Sequence, residues 1–275
     1  MKPALFDYAR PQSLAEVHAL LAGEGDDARV VAGGQSLLPM LSMRLVQPKL
    51  IVDIMRLPGT ASIRRDSGEI RIGCGVRQAA LMGWPEFPER LPLLAAALPW
   101  VGHAQTRSRG TICGSIAHAD PSAEIPLVLV ALDGRVELSS QRQQRTVPAA
   151  GFFTGLMSTA RADDELIEAV RFPERKADHG YAFREFGRRH GDFAIVACAA
   201  VADGRNIRLA IGGVADRPVT RDLADLAGSA LDDALEAFAR DLDARDDLHA
   251  TAAYRRRLVR RMGRDTIEEA RRCCG

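Results

Sequence analysis

Two glycine-bearing segments, Ala32-Gly33-Gly34-Gln35-Ser36 and Gly110-Thr111-Ile112-Cys113-Gly114-Ser115, lie about 80 residues apart, each beside an apolar run. Glycine lets the backbone take positive φ and approach a ligand closely, so consecutive N–H groups can converge on an anion with no Cβ in the way. Gln35, Ser36, Thr111 and Ser115 add neutral donors. One such turn commonly does no more than reverse the chain. Two, with matching amide and hydroxyl chemistry, read as opposite walls of a phosphate cradle. The polar run from Val101 to Arg109 leads into the second segment and is costly to bury without partners, which places it at a site too.

No machinery for side-chain catalysis accompanies these turns. The chain has no G-x-S-x-G elbow, no Walker A loop and no H-E-x-x-H helix. Its five cysteines, Cys74, Cys113, Cys198, Cys273 and Cys274, are odd in number and lack C-x-x-C spacing. That argues against a disulfide framework, a zinc site or a cysteine-held cluster, and fits a reducing cytoplasm. His118 beside Asp120 reads as a hydrogen-bonded structural histidine. No catalytic side chain and no metal ligand is assigned.

With 275 residues, 47% of them hydrophobic, the chain can bury a large core, and two moderate domains are expected. Lys+Arg at 37 against Asp+Glu at 36 leave no field that would draw nucleic acid or an anionic membrane, so small molecules and proteins are the expected partners. The clusters Arg255-Arg256-Arg257 and Arg260-Arg261, with Asp243, Asp246 and Asp247 nearby, read as a solvated helix face or a subunit contact. Met40, Met43 and Leu45 read as core or subunit interface. No basic-then-apolar leader and no apolar run of roughly 20 residues is present, so the expectation is a soluble, unprocessed, cytoplasmic protein.

The elements follow from pattern. Ser13-Leu14-Ala15-Glu16 has the form of a capping box opening a helix to about Gly23. Arg29–Ala32 and Leu50–Ile54 read as buried strands, with Pro39 between them arguing against a long regular helix. Glu69–Gly73 reads as a strand, Val76–Met82 and Leu91–Leu98 as helices. Ser122–Leu132 reads as another helix, and Arg135–Leu138 with Leu166–Phe172 as strands of one mixed sheet. After a charged connector from Glu174 to His179, strands are expected near Phe183–Phe186, Phe193–Val201 and Ile207–Ile211, then largely helical sequence from Arg221 to the end.

At these residues the chain resembles the FAD-binding medium subunit of molybdenum hydroxylases, the group that includes carbon monoxide dehydrogenase and xanthine dehydrogenase. The matching stretches are Ala32–Pro39, Arg109–Pro121 with Glu124 and Pro126 after it, Phe183–Ala194 with Arg188, Arg189 and Asp192, and Asp246–Ala250 through Tyr254-Arg255. They follow family order over nearly the whole chain. The resemblance implies an α/β (α+β) protein. An FAD-binding domain of vanillyl-alcohol-oxidase (PCMH) type would cover residues 1–175, in subdomains of about 1–55 and 56–175 with FAD extended between them. A smaller C-terminal α/β domain of the carbon monoxide dehydrogenase flavoprotein type would cover 176–275.

By the same resemblance, Arg29, Val30, Val31, Ala32, Gly33, Gly34, Gln35 and Ser36 wrap the FAD diphosphate, and Gly110, Thr111, Gly114 and Ser115 hold its other side. Asp120 and Glu124 belong to the site, Glu124 toward the adenosine end, while Leu166 and Arg184 line the flavin. The implied activity is that of an oxidoreductase subunit. A large subunit with a molybdenum cofactor oxidises the substrate, and a small subunit with two [2Fe–2S] clusters relays electrons to FAD on this chain, which passes them to NAD⁺, oxygen or another acceptor. The implied assembly is a dimer of heterotrimers.

Two departures stand out. Where the family usually shows Gly-Gly-Asn, this chain has Cys113-Gly114-Ser115, so Cys113 must adopt an ordinary backbone conformation or point away from the ligand. Ser115 still donates, though it offers fewer hydrogen bonds than Asn. Where many relatives carry lysine, this chain has Glu185, and adjacent Arg184 offers the cation that a reduced flavin favours; which of the two faces the ring stays open at this point. Two other readings are kept. A flavin-free scaffold would explain Cys113 and Ser115. A Rossmann-like NAD-binding unit would use Val30–Ala32, Gly33-Gly34 and Asp53, but the turn does not follow G-x-G-x-x-G and Asp53 reads as a strand-end turn residue.

Overall fold

The computed structural model describes residues 2–274. Strands β1 (Asp7–Ala9), β2 (Ala28–Val31) and β3 (Leu50–Asp53) form a parallel sheet in the order β1-β3-β2, with helix α1 (Leu14–Glu24) joining the first two and α2 (Leu37–Ser42) the last two. The capping box forms: Ser13 Oγ accepts from Glu16 N at 3.2 Å, and Glu16 Oε2 accepts from Gln12 N at 2.8 Å. Alternation along the strands divides the sheet's two faces. Ala28, Leu50 and Val52 meet Val17 and Leu21 of α1 in the main core, while Val31 and Ile51 meet Leu41 of α2 in a small separate one.

The next part contains β4 (Ile63–Asp66), β5 (Glu69–Gly73), α3 (Gln78–Met82), α4 (Phe87–Arg90), α5 (Pro92–Ala97), α6 (Ala104–Arg109), α7 (Ile112–His118) and α8 (Glu124–Ala131). It continues through β6 (Arg135–Ser139), β7 (Gln144–Pro148), α9 (Ala149–Phe152), the short hairpin β8 (Phe153–Gly155) and β9 (Ser158–Thr159), and β10 (Leu166–Pro173). Its five-stranded sheet has the order β4-β5-β10-β6-β7, and every pairing is antiparallel, not mixed as expected. Hairpins link β4 to β5 and β6 to β7, and β10 returns between them. Its solvent face is tied by cross-strand ion pairs: Arg71 reaches Glu137 at 2.7 Å and Glu168 at 3.2 Å, and Arg171 reaches Asp66 at 2.8 Å.

The last part is an antiparallel meander of β11 (Gly180–Phe186), β12 (Val196–Ala202), β13 (Asn206–Gly212) and β14 (Val219–Ala224), covered by α10 (Gly228–Asp241) and α11 (Ala252–Arg272). Helix was expected from Arg221 onward. Instead β14 pairs with β13, because Val219 and Leu223 fall on one face and the β-branched Val219 and Thr220 suit an edge strand, and the helix begins only at Gly228. This sheet is covered on both faces. Cys198, Ala200, Leu209 and Ile211 pack under α10 and α11, whereas Phe183, Ala197, Ala199 and Ala210 join the main core that includes α8. All eight residues of α8 are buried, as a helix apolar nearly all round requires. At Gly180 a Cβ would strike the Ala270 carbonyl and lie 2.6 Å from Cys274 N, so this glycine lets α11 lie directly on β11.

Arg255, expected on a solvated face, is 4% exposed. Its Nη1 donates to the carbonyls of Ile195 and Gly213, both at 2.6 Å, and its Nη2 to Asp247 at 2.5 Å. Gly213 N in turn donates to Pro121 O at 2.8 Å, so the guanidinium braces the loops through which the C-terminal sheet meets the preceding part. Of the other arginines of the cluster, Arg260 pairs with Glu236 and Arg256 donates to Leu242 O, while Arg257 and Arg261 are exposed, as expected of a solvated face. Replacement Arg255→Met leaves two carbonyls without a donor and should cost about 2–5 kcal/mol, read as a lowered denaturant midpoint. An unchanged midpoint would remove this residue from the account of domain docking.

Candidate functional site

The first glycine segment follows β2 as a loop that touches the second directly. A Cβ on Gly33 would lie 2.7 Å from Gly110 Cα and closer still to the Arg109 carbonyl, so bare backbone packs on bare backbone here. Gly34 sits at φ 71°, and a Cβ there would press to 2.9 Å from Leu38 Cδ1. Beyond this pair, none of the N–H groups of Gly33 through Leu37 has an acceptor among the described residues; Leu38 N is the first to find one, Gly34 O at 3.0 Å. Gln35 Nε2 folds back to Gly33 O at 3.3 Å, and Ser36 is exposed at the start of α2. The result is a run of five consecutive donors beside a glycine-lined contact, which suits an anion of diphosphate type.

The second segment is not the simple turn expected. Gly110 and Thr111 are extended, Thr111 bridging to Arg77, and Ile112 begins α7, so Gly114 and Ser115 are helical. Thr111, 2% exposed, is its N-cap, with Oγ1 accepting from Gly114 N at 3.0 Å. Glycine at 114 protects that bond, because a Cβ would stand 2.7 Å from Thr111 Oγ1. Gln78 N donates to Gly110 O at 2.8 Å and Ile112 N to Val76 O at 3.2 Å, which pins the segment to the chain after β5. Cys113 points away from the glycine contact, as required: its Sγ lies 3.6 Å from Ile72 O, and burial raises its thiol pKa. It is an inert core thiol.

Beside the glycine contact lies a cleft of about 290 Å³, lined by Ala32, Gly33, Gly34, Leu38, Arg77 and Arg109. Tyr8 and Asp53 close its far end. Tyr8 OH donates to Asp53 Oδ2 at 2.5 Å, and Asp53 Oδ1 accepts from Met55 N at 2.9 Å, so the acid serves a strand-end turn as expected and also holds the tyrosine. Tyr8, Arg77 and the tyrosine–aspartate bond were not singled out from sequence. Their signal was weak because they come together only through the parallel pairing of β1 with β3 and the isolated bridge of Arg77 to Thr111.

The remaining expected residues fall into two groups. Val31 lines the cleft and Val30 packs toward the main core, while the Arg29 guanidinium turns back to the carbonyls of Asp26 at 2.6 Å and Ala28 at 2.8 Å. Asp120 Oδ1 accepts from Ser122 N at 2.8 Å and so shapes the entry to α8, whose first residue is Glu124. Burial raises the Glu124 pKa to about 7. Leu166 and Arg184, expected along the flavin rather than at the diphosphate, do not line this cleft. Leu166 is 3% exposed in the main core, and Arg184 pairs with Glu269 of α11 at 2.8 Å. Glu185, next along β11, lies on the opposite face of the strand, the one on which Phe183 joins the main core. His118 also departs from expectation: it makes no hydrogen bond among the described residues, Asp120 being used by Ser122, and burial lowers its pKa.

Residues 4–175 match the family model described as the FAD binding domain in molybdopterin dehydrogenase, and residues 181–270 that of the CO dehydrogenase flavoprotein C-terminal domain. The chain belongs to the FAD-binding medium subunits of the molybdenum hydroxylases. The nicotine 6-hydroxylase medium subunit of Paenarthrobacter nicotinovorans is 38% identical to it over 282 residues, covering 98% of this chain and 99% of that one. The solved carbon monoxide dehydrogenase of Hydrogenophaga pseudoflava contains a chain that superimposes with a TM-score of 0.95 at 33% identity, over the full length of both. Quinoline 2-oxidoreductase of Pseudomonas putida 86 gives 0.92 at 32%, again over both full lengths. This medium subunit is therefore the FAD-binding component of a multi-subunit oxidoreductase, and no helix among its described residues is long and apolar enough to cross a membrane.

The close approach at Gly33 sets a sharp expectation. Gly33→Ala should force the two loops apart at about 1–3 kcal/mol and weaken FAD retention about tenfold or more, whereas Gln35→Ala should leave it within about threefold. Flavin absorbance per subunit after gel filtration reads this directly; equal flavin content in the two variants would contradict it.

Proposed function

We propose that this medium subunit is the electron outlet of its complex, holding FAD by main-chain donors in the cradle formed by the two glycine segments. The observation that carries the reading is the run of five N–H groups, Gly33 through Leu37, without an acceptor among the described residues, beside the contact of Gly33 with Gly110. Arg29 to Ser36 would wrap the diphosphate from one side and Gly110, Thr111, Gly114 and Ser115 from the other, with Asp120 and Glu124 extending the site. Several oriented N–H bonds to charged oxygens, at roughly 1.5–3 kcal/mol each, suffice for tight, dissociable binding. FAD, when bound, supplies the chemistry of taking electrons singly and releasing them in pairs to NAD⁺, oxygen or another acceptor. The residues of this chain bind and orient it and exclude water.

The three larger sheets support a division into subdomains of about 1–55 and 56–175 and a C-terminal domain over 176–275. Leu166, in the main core, and Arg184, paired with Glu269, are proposed to line the flavin end of the cofactor, beyond the diphosphate cradle. The proposed partners are a large subunit with the molybdenum cofactor and a small subunit with two [2Fe–2S] clusters, in a cytoplasmic dimer of heterotrimers. Leu38, Met43 and Leu45 stand exposed on and after α2, the last at 67%, which supports subunit contact there rather than core. The direction of Cys113 into the core removes the main reason for a flavin-free scaffold.

Anaerobic addition of the reducing substrate to the purified complex should bleach the flavin absorbance of this subunit, and addition of the acceptor should restore it. Reduced iron–sulfur signals with an unbleached flavin would overturn its place as the outlet.

A further inference from the structure

The cleft beside the glycine contact carries positive charge that the protein itself does not neutralise. Its lining holds two cations, Arg77 and Arg109, and one acid, Asp53. That acid is already engaged: Tyr8 OH donates to its Oδ2 at 2.5 Å, Met55 N donates to its Oδ1 at 2.9 Å, and Arg10 lies 3.9 Å away. Arg77 and Arg109 are both exposed, and neither guanidinium forms an ion pair or a hydrogen bond among the described residues. Arg107 shows the contrast. Its Nη1 donates to the carbonyls of Pro99 at 3.3 Å and of Val101 and Gly102, both at 2.9 Å, and so ties down the chain before α6. Arg109, in the last turn of the same helix, ties down nothing.

The backbone beneath the two arginines is fixed. Arg77 bridges antiparallel to Thr111, Gln78 N donates to Gly110 O at 2.8 Å, and Gly110 N donates to Thr106 O at 2.7 Å. Gln78 is 4% exposed, and a Cβ on Gly110 would lie 3.2 Å from both its Nε2 and its Oε1, so its amide packs directly on that glycine. Two long cationic side chains therefore leave a rigid base, next to the N–H groups without acceptors that begin at Gly33. We propose that Arg77 and Arg109 bind the diphosphate of FAD, as the cationic wall of a cradle whose other donors are neutral main-chain groups. The inference rests on placing the diphosphate at the glycine contact. Main-chain N–H groups supply direction without net charge, whereas guanidinium forks supply the charge opposite to a diphosphate and can each take two oxygens. Because both arginines are exposed, their attraction is screened by salt, and FAD retention depends on ionic strength through them.

The purified complex and its Arg77→Ala, Arg109→Ala and doubly substituted forms can be stripped of FAD and titrated with it at about 0.05 M and about 0.5 M salt, with phosphorus NMR of the bound cofactor recorded alongside. Each single replacement should weaken FAD binding about tenfold at low salt, and the double replacement about a hundredfold. The unaltered complex should lose most of that advantage at high salt, while the double variant stays level. The diphosphate resonances should move in each variant, and the denaturant midpoints of the stripped complexes should not, since neither side chain bonds to the frame. Lowered midpoints would assign the arginines to the frame and overturn the proposal. So would FAD binding by the double variant within about threefold of the unaltered complex at both salts, with unmoved resonances. Subunits that separate on gel filtration in that case would assign the arginines to a partner chain. Gly33→Ala tells this failure from failure of the cradle: FAD lost there but held by the double arginine variant leaves the cradle without its cationic wall, and FAD held by both removes the cradle too.

Discussion

The approach of Gly33 to the Arg109–Gly110 backbone is the constraint on which the cofactor site depends. Two chain segments from different sheets meet with no side chain between them, and each is held from behind. Gly34 turns at positive φ to start α2, while Gly110 and Ile112 bond to Gln78 and Val76 beyond β5. With the loops fixed this way, the N–H groups from Gly33 to Leu37 have no acceptor among the described residues. Binding is thus built into the main chain. Side chains at the same place serve the frame: Thr111 caps α7, Gln35 folds onto Gly33, and Arg29 braces its own loop.

A second level of organisation joins this site to the C-terminal sheet. Helix α8 is buried on every side, against β12, β13 and β14 of the C-terminal sheet and against α5, α7 and α9, and the small residues of β12 let it approach closely. The connection is completed at the rim. Gly213 N bonds to Pro121 O, Arg255 holds Gly213 and Ile195 together, and His190 lies against Trp100 at 5.0 Å between ring centroids. At Gly191, φ 86°, a Cβ would reach 2.7 Å from the His103 ring, so the loop after β11 can lie flat on the segment before α6. The polar run from Val101 to Arg109 is accordingly a surface segment with a docking partner, which explains why its charge is tolerated.

Much of this was legible in the residues. The capping box at Ser13, the glycines at 33 and 34, the strands they follow and the collinear motifs all act locally or in family order. What was not legible came from contacts distant in sequence. Helix α7 contains glycine and two β-branched residues and has poor intrinsic propensity; it is held by the Thr111 cap and by burial of Ile112, Cys113 and Ile116. Strand β14 was masked by charged residues that suit an exposed edge as well as a helix. Arg255 belongs to a cluster of arginines that composition alone assigns to solvent, and only the folded carbonyls of Ile195 and Gly213 distinguish it. The faces taken by Arg184 and Glu185 are fixed by the register of β11 against β12 and by the position of α11, neither of which a local pattern specifies.

The central claim is that main-chain donors from the first glycine segment carry the cofactor, and amide hydrogen exchange at Gly33 through Leu37 tests it most directly. In complexes stripped of FAD these amides should exchange rapidly, as groups without acceptors do, and reloading FAD should slow them about tenfold or more while leaving Leu38 little changed. Exchange at these positions that is the same with and without bound FAD would contradict the account.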